Sequence, residues 1–348
     1  MDNLLLVYSS PLFYAISFID YLVPHFDKIR IMPAYTDEDI KGFDIGINIE
    51  EYKNKYLLSR NNFTLKDALS FDIIMGIDNG CIPFLCDLKK NISVIKIGCQ
   101  ILDYPEHCLR KNSKDYREVA EKIWDYVSPH LHELDFYLCN YPNIEKKLKK
   151  KYFPNVSSLV QTYPAKTMII ENFENLDYII YAGRLEKDKN ISHIIEAVSL
   201  MENKIKLILI TSGSRNFDYL PLCNDLNVNV KILKNISDKE KYDLYSKAMC
   251  GISLASPFCP NLCVKEMMSI GKNSVVYDWP EYREIFGSSL AYVSPYNLLD
   301  VSRKLDDFYK QCKVGNQSKP DINLINYYNK FLSYESWVKS FLKLLGKE

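Results

Sequence analysis

The chain has 348 residues, 47% of them hydrophobic and 13% aromatic, and its 44 Lys and Arg balance its 44 Asp and Glu. At roughly 100–200 residues per domain this length predicts two domains, and the apolar content excludes a disordered chain. Zero net charge excludes a general nucleic-acid binder, which needs surplus cations to neutralise phosphates.

Met1–Tyr8 holds no basic residue ahead of its apolar run and reaches Ser9-Ser10-Pro11 too soon for a signal peptide. No run of about 18 uncharged apolar residues predicts a membrane span, so the expected location is the cytoplasm. The ten cysteines are scattered, with no CxxC pair, and are expected to be reduced, mostly buried thiols rather than zinc ligands.

In chain order, short apolar runs alternate with amphipathic segments, the pattern of βαβ units and parallel sheets. In the first half, strands are predicted at Leu4–Tyr8, Ile29–Met32, Asp44–Ile49, Ile73–Ile77, Val94–Ile97 and Phe136–Cys139, with a long helical stretch over Tyr116–Leu134. A basic helix follows, Asn143–Tyr152, in which Ile144 and Leu148 share one face. Lys146, Lys147, Lys149, Lys150 and Lys151 cover the rest, a solvated face or a contact for anionic lipid. Asn155–Thr167 leads to a break near residues 163–175. The second half predicts strands at Tyr178–Ala182, Ile205–Thr211, Val228–Leu233, Cys250–Leu254, Ser274–Tyr277 and Leu290–Val293. Its helices are expected at Ser192–Met201, Asp238–Lys247, Leu262–Ile270 and Leu298–Tyr309. Ser237-Asp238-Lys239-Glu240 reads as a capping box. The domains are therefore 1–167, 168–330 and a C-terminal helix over 331–348 that can pack on either domain, back on the first among them. Two doubly wound halves predict a cleft between them, with ligands beyond the carboxyl ends of the strands.

Two segments carry chemistry. Tyr181-Ala182-Gly183-Arg184 ends a strand, and Lys189 stands where a helix begins. A guanidinium fork and an ammonium beside a helix N-terminus suit a diphosphate, although a charged loop in solvent has the same composition. Asn261-Leu262-Cys263 opens a second helix ending at Gly271, and Glu266 is expected on its first turn. The amides of Leu262 and Cys263 can face a phosphate, and Glu266 can accept from ribose hydroxyls or simply complement the helix dipole.

Gly183-Arg184-Leu185, Lys189 five residues after the arginine, and Glu266-Met267-Met268-Ser269-Ile270-Gly271 together resemble the retaining glycosyltransferases of family 4 over about residues 176–310. That resemblance implies a GT-B fold, α/β with two Rossmann-like doubly wound domains facing across a cleft. It implies that Arg184 and Lys189 bind the donor diphosphate and that Glu266 binds ribose, with Gly183, Asn261, Leu262 and Cys263 completing the donor site. The implied reaction moves a hexose from a nucleoside diphosphate sugar to a glycan or lipid-linked acceptor with retention of configuration. The two cations do the charge work, so no metal and no cofactor are implied. Three positions depart from the family pattern. Phe258 stands where its first motif glutamate falls, Cys99 stands about where a first-domain histidine approaches the sugar, and Ser9-Ser10-Pro11 replaces paired glycines. Phe258 and Cys99 are thus the candidate hexose or acceptor positions. A nucleotide-sugar-binding pseudoenzyme and a sugar-nucleotide epimerase of the same fold stay open as alternatives.

Overall fold

The computed structural model describes residues 2–9, 13–34, 54–101, 122, 124–125, 127–151, 156–170, 172–174, 176–212, 217–257, 261–314 and 319–347. Their contacts divide them into two compact units. One runs to Thr162 and takes up the chain from Trp337 onward, and the other covers Tyr163–Ser336.

The first unit is built on six parallel strands: β1 (Asn3–Tyr8), β2 (Lys28–Pro33), β3 (Ile73–Gly76), β4 (Lys96–Ile101), β5 (Phe136–Cys139) and β6 (Ser157–Val160). Their order is β2-β1-β3-β4-β5-β6, so the winding reverses between β1 and β3. Leu4, Leu5, Leu6 and Val7 are all fully buried, as an unbroken apolar run must be when helices cover both faces of a parallel sheet. The C-terminal helix Tyr334–Leu344 lays Trp337 against Phe18, with ring centroids 4.4 Å apart, and Phe341 against Phe136 at 6.1 Å.

The second unit carries β7 (Leu176–Ala182), β8 (Lys206–Thr211), β9 (Val230–Lys234), β10 (Ala248–Ser253), β11 (Ser274–Tyr277) and β12 (Ala291–Val293). Their order is β12-β11-β10-β7-β8-β9, all parallel, with the reversal between β7 and β10. Counted from β7, this is the 3-2-1-4-5-6 order of a dinucleotide-binding sheet. One face is packed by Ile191, Ile194, Val301 and Leu305, the other by Tyr242, Tyr245, Met267 and Ile270. The helix Asp238–Lys247 opens with the expected capping box, Ser237 and Glu240 each capping the other's backbone N–H.

Most elements lie within a few residues of their predicted bounds, and the exceptions have physical causes. β4 starts at Lys96 rather than Val94, which is exposed, and continues to Ile101 because its ladder with β5 does. β6 is a true strand where the sequence suggested only an exit path. It is four residues long and begins Ser157-Ser158, too short and polar to announce itself. The helices Leu220–Asp225 and Ile322–Phe331 were not expected. The units part at Thr162, ahead of the linker read from composition, because the next carbonyls are satisfied in the second unit. Lys265 Nζ donates to Tyr163 O at 2.6 Å, Tyr242 Oη to Lys166 O, and Tyr328 Oη to Ala165 O at 2.5 Å. The strand predicted at Asp44–Ile49 and most of the helix predicted over Tyr116–Leu134 lie outside the described residues. Among the described residues, no helix is long and apolar enough to cross a membrane.

Candidate functional site

In open α/β sheets the carboxyl ends of the two strands flanking a reversal leave a crevice that neither crossover helix fills. In the second unit those strands are β7 and β10, and both sequence-predicted segments follow directly from them.

β7 runs into Gly183, whose φ is 154° and where a Cβ would sit 2.6 Å from the Tyr181 hydroxyl. A side chain is therefore excluded from this exit. Tyr181 Oη donates to Arg184 O at 3.0 Å and fixes the start of the loop. A short 3-10 turn, Lys187–Lys189, then leads through Asn190 into the helix Ile191–Ser199. Asn190 is left-handed, with φ 51°, and its Nδ2 donates to Leu254 O at 2.8 Å, tying the loop after β7 to the end of β10. Ser256 N–H donates to Asp188 O at 3.0 Å and makes a second tie.

On the other side, Asn261 is also left-handed, with φ 48°, directly before the helix Leu262–Ser269. Its Oδ1 accepts from Ser253 Oγ at 2.9 Å at the end of β10. Its Nδ2 is buried without a hydrogen-bond partner. An amide donor in that position costs free energy until an acceptor reaches it. Lys265 N–H to Asn261 O, 3.2 Å, is the first helical bond, so the amides of Leu262, Cys263 and Val264 precede it and have no acceptor within the helix.

The structure corrects three details of the sequence reading. Glu266 is the fifth residue of its helix, one turn in rather than on the first turn. It is mostly buried, and both carboxylate oxygens are already engaged: Lys241 Nζ donates to Oε1 and Tyr245 Oη to Oε2, each at 2.9 Å. Lys241 also stands 3.0 Å from Asp238. Burial works against its ammonium, but the two carboxylates outweigh it and hold the pKa above the usual lysine range. Each Glu266 oxygen keeps a second lone pair for another donor. Arg184 and Lys189 are likewise not bare cations. Arg184 pairs with Glu186 at 2.9 Å and Lys189 with Asp188 at 3.0 Å, so a diphosphate must exchange with these carboxylates. Cys99 lies inside β4 instead of beyond its end. It is fully buried, with Sγ donating to Asp78 O at 3.1 Å, and burial pushes its thiol pKa well up. It offers nothing to a ligand. Phe258 lies outside the described residues. His130 stands 3.6 Å from Glu133 in a 3-10 segment.

Sequence reasoning missed the polar ends of the first sheet. At its reversal, Asp78 is buried and accepts from Ser9 N–H at 3.0 Å, Ser9 Oγ and Gly80 N–H at 2.8 Å. Gly80 is obligatory, because a Cβ there would meet Ser9 Oγ. Gln100, Asn140 and Gln161 are buried at the ends of β4, β5 and β6. A polar residue directly after each apolar strand run was the available signal. The basic helix Pro142–Lys151 buries Ile144 and Leu148 as expected. Lys146, Lys149, Lys150 and Lys151 are exposed and Lys147 half-buried.

Two six-stranded parallel α/β sheets, one in each unit, make the GT-B fold. Residues 165–319 match the family model of glycosyl transferases group 1. Among solved structures it is similar to sucrose-phosphate synthase from Thermosynechococcus elongatus. They share 11% identity over 99% of this chain and 100% of that one, with a TM-score of 0.72. It is also similar to Anabaena Alr3699/HepE in complex with UDP and glucose, at 12% identity over all of both chains and a TM-score of 0.72. A glycosyltransferase from Rickettsia africae ESF-5 is 11% identical over all of both chains, at a TM-score of 0.70. No curated protein sequence matches the chain.

Proposed function

We propose that this chain is a family 4 retaining hexosyltransferase. It takes a hexose from a nucleoside diphosphate sugar and passes it to a glycan or lipid-linked acceptor. The observation that supports this reading is that the loop of Arg184 and Lys189 and the helix start at Asn261 follow the two strands flanking the reversal of the second sheet, with the Asn261 side-chain amide buried without a partner.

In this reading Arg184 and Lys189 exchange their carboxylate partners for the donor diphosphate. They stabilise the charge that gathers on it as the glycosidic bond breaks, so the charge work needs no metal or cofactor. The amides of Leu262 and Cys263 and the Asn261 side chain add donors. Glu266, held by Lys241 and Tyr245, accepts from the ribose hydroxyls. The leaving phosphate takes the acceptor proton on the face it departs from, which retains the anomeric configuration without a protein nucleophile. The first unit binds the acceptor, and the lysine face of Pro142–Lys151 suits an anionic lipid surface at the inner side of a membrane. The Anabaena structure holds UDP and glucose, which makes UDP-glucose the first donor to try.

One sequence feature favours a second reading. Phe258 replaces a motif glutamate, so a pseudoenzyme that binds nucleotide sugar without turnover fits the same donor site. The test is a thermal-shift screen of UDP-, GDP- and ADP-sugars, with donor hydrolysis followed in the same wells. A shift plus release of free sugar of retained configuration supports the transferase. A shift without turnover supports the pseudoenzyme, and no shift with any donor removes both.

A further inference from the structure

Four aromatic side chains from four chain segments meet at the carboxyl edge of β11 and β12. They are His193 on the first turn of Ile191–Ser199, Tyr277 at the end of β11, Trp279 just before the helix Pro280–Phe286, and Tyr296 after β12. Tyr296 touches all three others, with ring centroids 5.6 Å from His193, 5.6 Å from Tyr277 and 5.8 Å from Trp279.

The backbone at Tyr296 is the informative part. Asn297 N–H bonds to Ser294 O at 3.1 Å, closing a turn with Pro295 second and Tyr296 third. Tyr296 has φ 63°. A turn with proline second and a positive φ third normally takes glycine third, and a bulky residue there is strained. The sequence keeps a tyrosine where glycine would be costless, so the ring is wanted. Burial does not explain it, because Tyr296 is 53% exposed. Its three neighbours fix the ring's pose and leave part of its surface to solvent. Their own polar atoms are satisfied inward: Trp279 Nε1 donates to Ala255 O at 3.1 Å, and His193 Nδ1 lies 3.0 Å from Tyr277 Oη.

The place matters as much as the shape. Ala255 and Ser256 continue β10 into the crevice, and Ser256 is bonded to Asp188, next to Lys189. The aromatic cluster therefore braces, from one side, the same backbone that the proposed diphosphate loop grips from the other. His193 is on the helix that Lys189 leads into.

The geometry points to a carbohydrate-stacking subsite on the second unit, with the Tyr296 ring as the platform for a pyranose of a bound glycan chain. A pyranose presents a face of axial C–H groups that packs flat on an aromatic ring while its hydroxyls stay in water, so a rigid, half-exposed tyrosine suits it. Charge is not the attraction, since the cluster holds no acidic or lysine side chain. This assignment rests on the glycosyltransferase reading above, and it adds a site outside the donor crevice.

The test uses the full chain and two variants, Tyr296→Gly and Tyr296→Phe. Tyr296→Gly relieves the turn strain, so the melting temperature stays within a degree or two, on the order of a single-residue backbone effect. Maltohexaose, cellohexaose and chitohexaose are titrated by calorimetry and by Trp fluorescence, which Trp279 reports. At least one should bind wild type and Tyr296→Phe alike, and Tyr296→Gly should weaken it roughly tenfold, the scale of one aromatic contact. UDP-sugar thermal shifts in the same samples should be equal in all three proteins. The subsite is overturned if none of the glycans binds, if Tyr296→Gly binds as wild type does, or if its loss merely tracks a fall in melting temperature. It is also overturned if wild type self-associates through the patch, seen as a dimer that Tyr296→Gly abolishes. Glycan binding that survives without any nucleotide shift removes the donor reading and leaves this one standing.

Discussion

The side-chain amide of Asn190 donates to the carbonyl of Leu254 at 2.8 Å, across the reversal of the second sheet. It couples the loop carrying Arg184 and Lys189 to the end of β10, from which the Asn261 helix start is hung. The left-handed backbone of Asn190 aims its side chain there, and asparagine tolerates that conformation better than most residues. Asn190→Gly should keep the fold, since glycine accepts φ 51°, yet lose the tie. We expect melting to change little and the KM for donor to rise several-fold. Asn190→Ala loses the bond and strains the backbone, which should cost about 2 kcal/mol by urea unfolding. Equal donor KM in wild type and Asn190→Gly would show that the tie is not needed.

Lys241 and Glu266 form a mostly buried pair, with side chains 19% and 12% exposed. Removing one partner strands the other's charge, so Lys241→Met should cost about 3 kcal/mol. Adding Glu266→Gln in the same chain should restore much of that stability, and no restoration would deny the coupling. Glu266→Gln alone should weaken a ribonucleotide more than its 2′-deoxy counterpart, because ribose hydroxyls lose an acceptor.

The Arg184 guanidinium is exposed and its ion pair with the half-buried Glu186 is screened by solvent, so Glu186→Gln should alter stability by less than about 1 kcal/mol. It should still tighten binding of a nucleoside diphosphate a few-fold, roughly, since the anion no longer competes with Glu186. Weaker binding in Glu186→Gln would mean that Glu186 positions Arg184 instead of masking it.

Lys272 gives a pH signature. It is 3% exposed, its Nζ donates to Glu174 O at 2.6 Å and Ala248 O at 2.7 Å, and burial lowers its pKa from 10.5 to about 8. Between pH 8 and 10.5 the unfolded chain binds the proton that the folded chain has released. Stability from this group therefore rises with pH through that window and is flat below it. Subtracting Lys272→Met from wild type in urea unfolding should show a gain for wild type of roughly 2 kcal/mol from pH 8 to 10. A difference that stays constant with pH would place the lysine's pKa near its usual value.

The fold could be read from the sequence largely because parallel strands buried on both faces are unbroken apolar runs. Tyr178–Ala182 and Ser274–Tyr277 announce themselves, and the Ser237–Glu240 box fixes a helix start to the residue. β6 was missed because an edge strand of four residues, half of them serine and one of them exposed, carries no such signal. The positions of Arg184, Lys189 and Asn261 followed from strand-loop-helix order alone. Their partners did not. Glu186, Asp188, Lys241 and Leu254 are set by loop geometry and by packing between helices distant in sequence, which periodicity does not encode. Tyr296 was invisible for the same reason, since a positive φ at a tyrosine contradicts local preference and only the assembled rings explain it.

The most direct test of the central claim is calorimetric titration of a nucleoside diphosphate and of its parent nucleoside into wild type and into Arg184→Ala/Lys189→Ala. The nucleotide is the one giving the largest thermal shift. The diphosphate should bind wild type at least tenfold more tightly than the nucleoside, roughly the worth of one good charge-assisted contact. That advantage should vanish in the double variant while nucleoside affinity is unchanged. A double variant that keeps the full diphosphate preference would contradict the account and move the phosphates away from the end of β7.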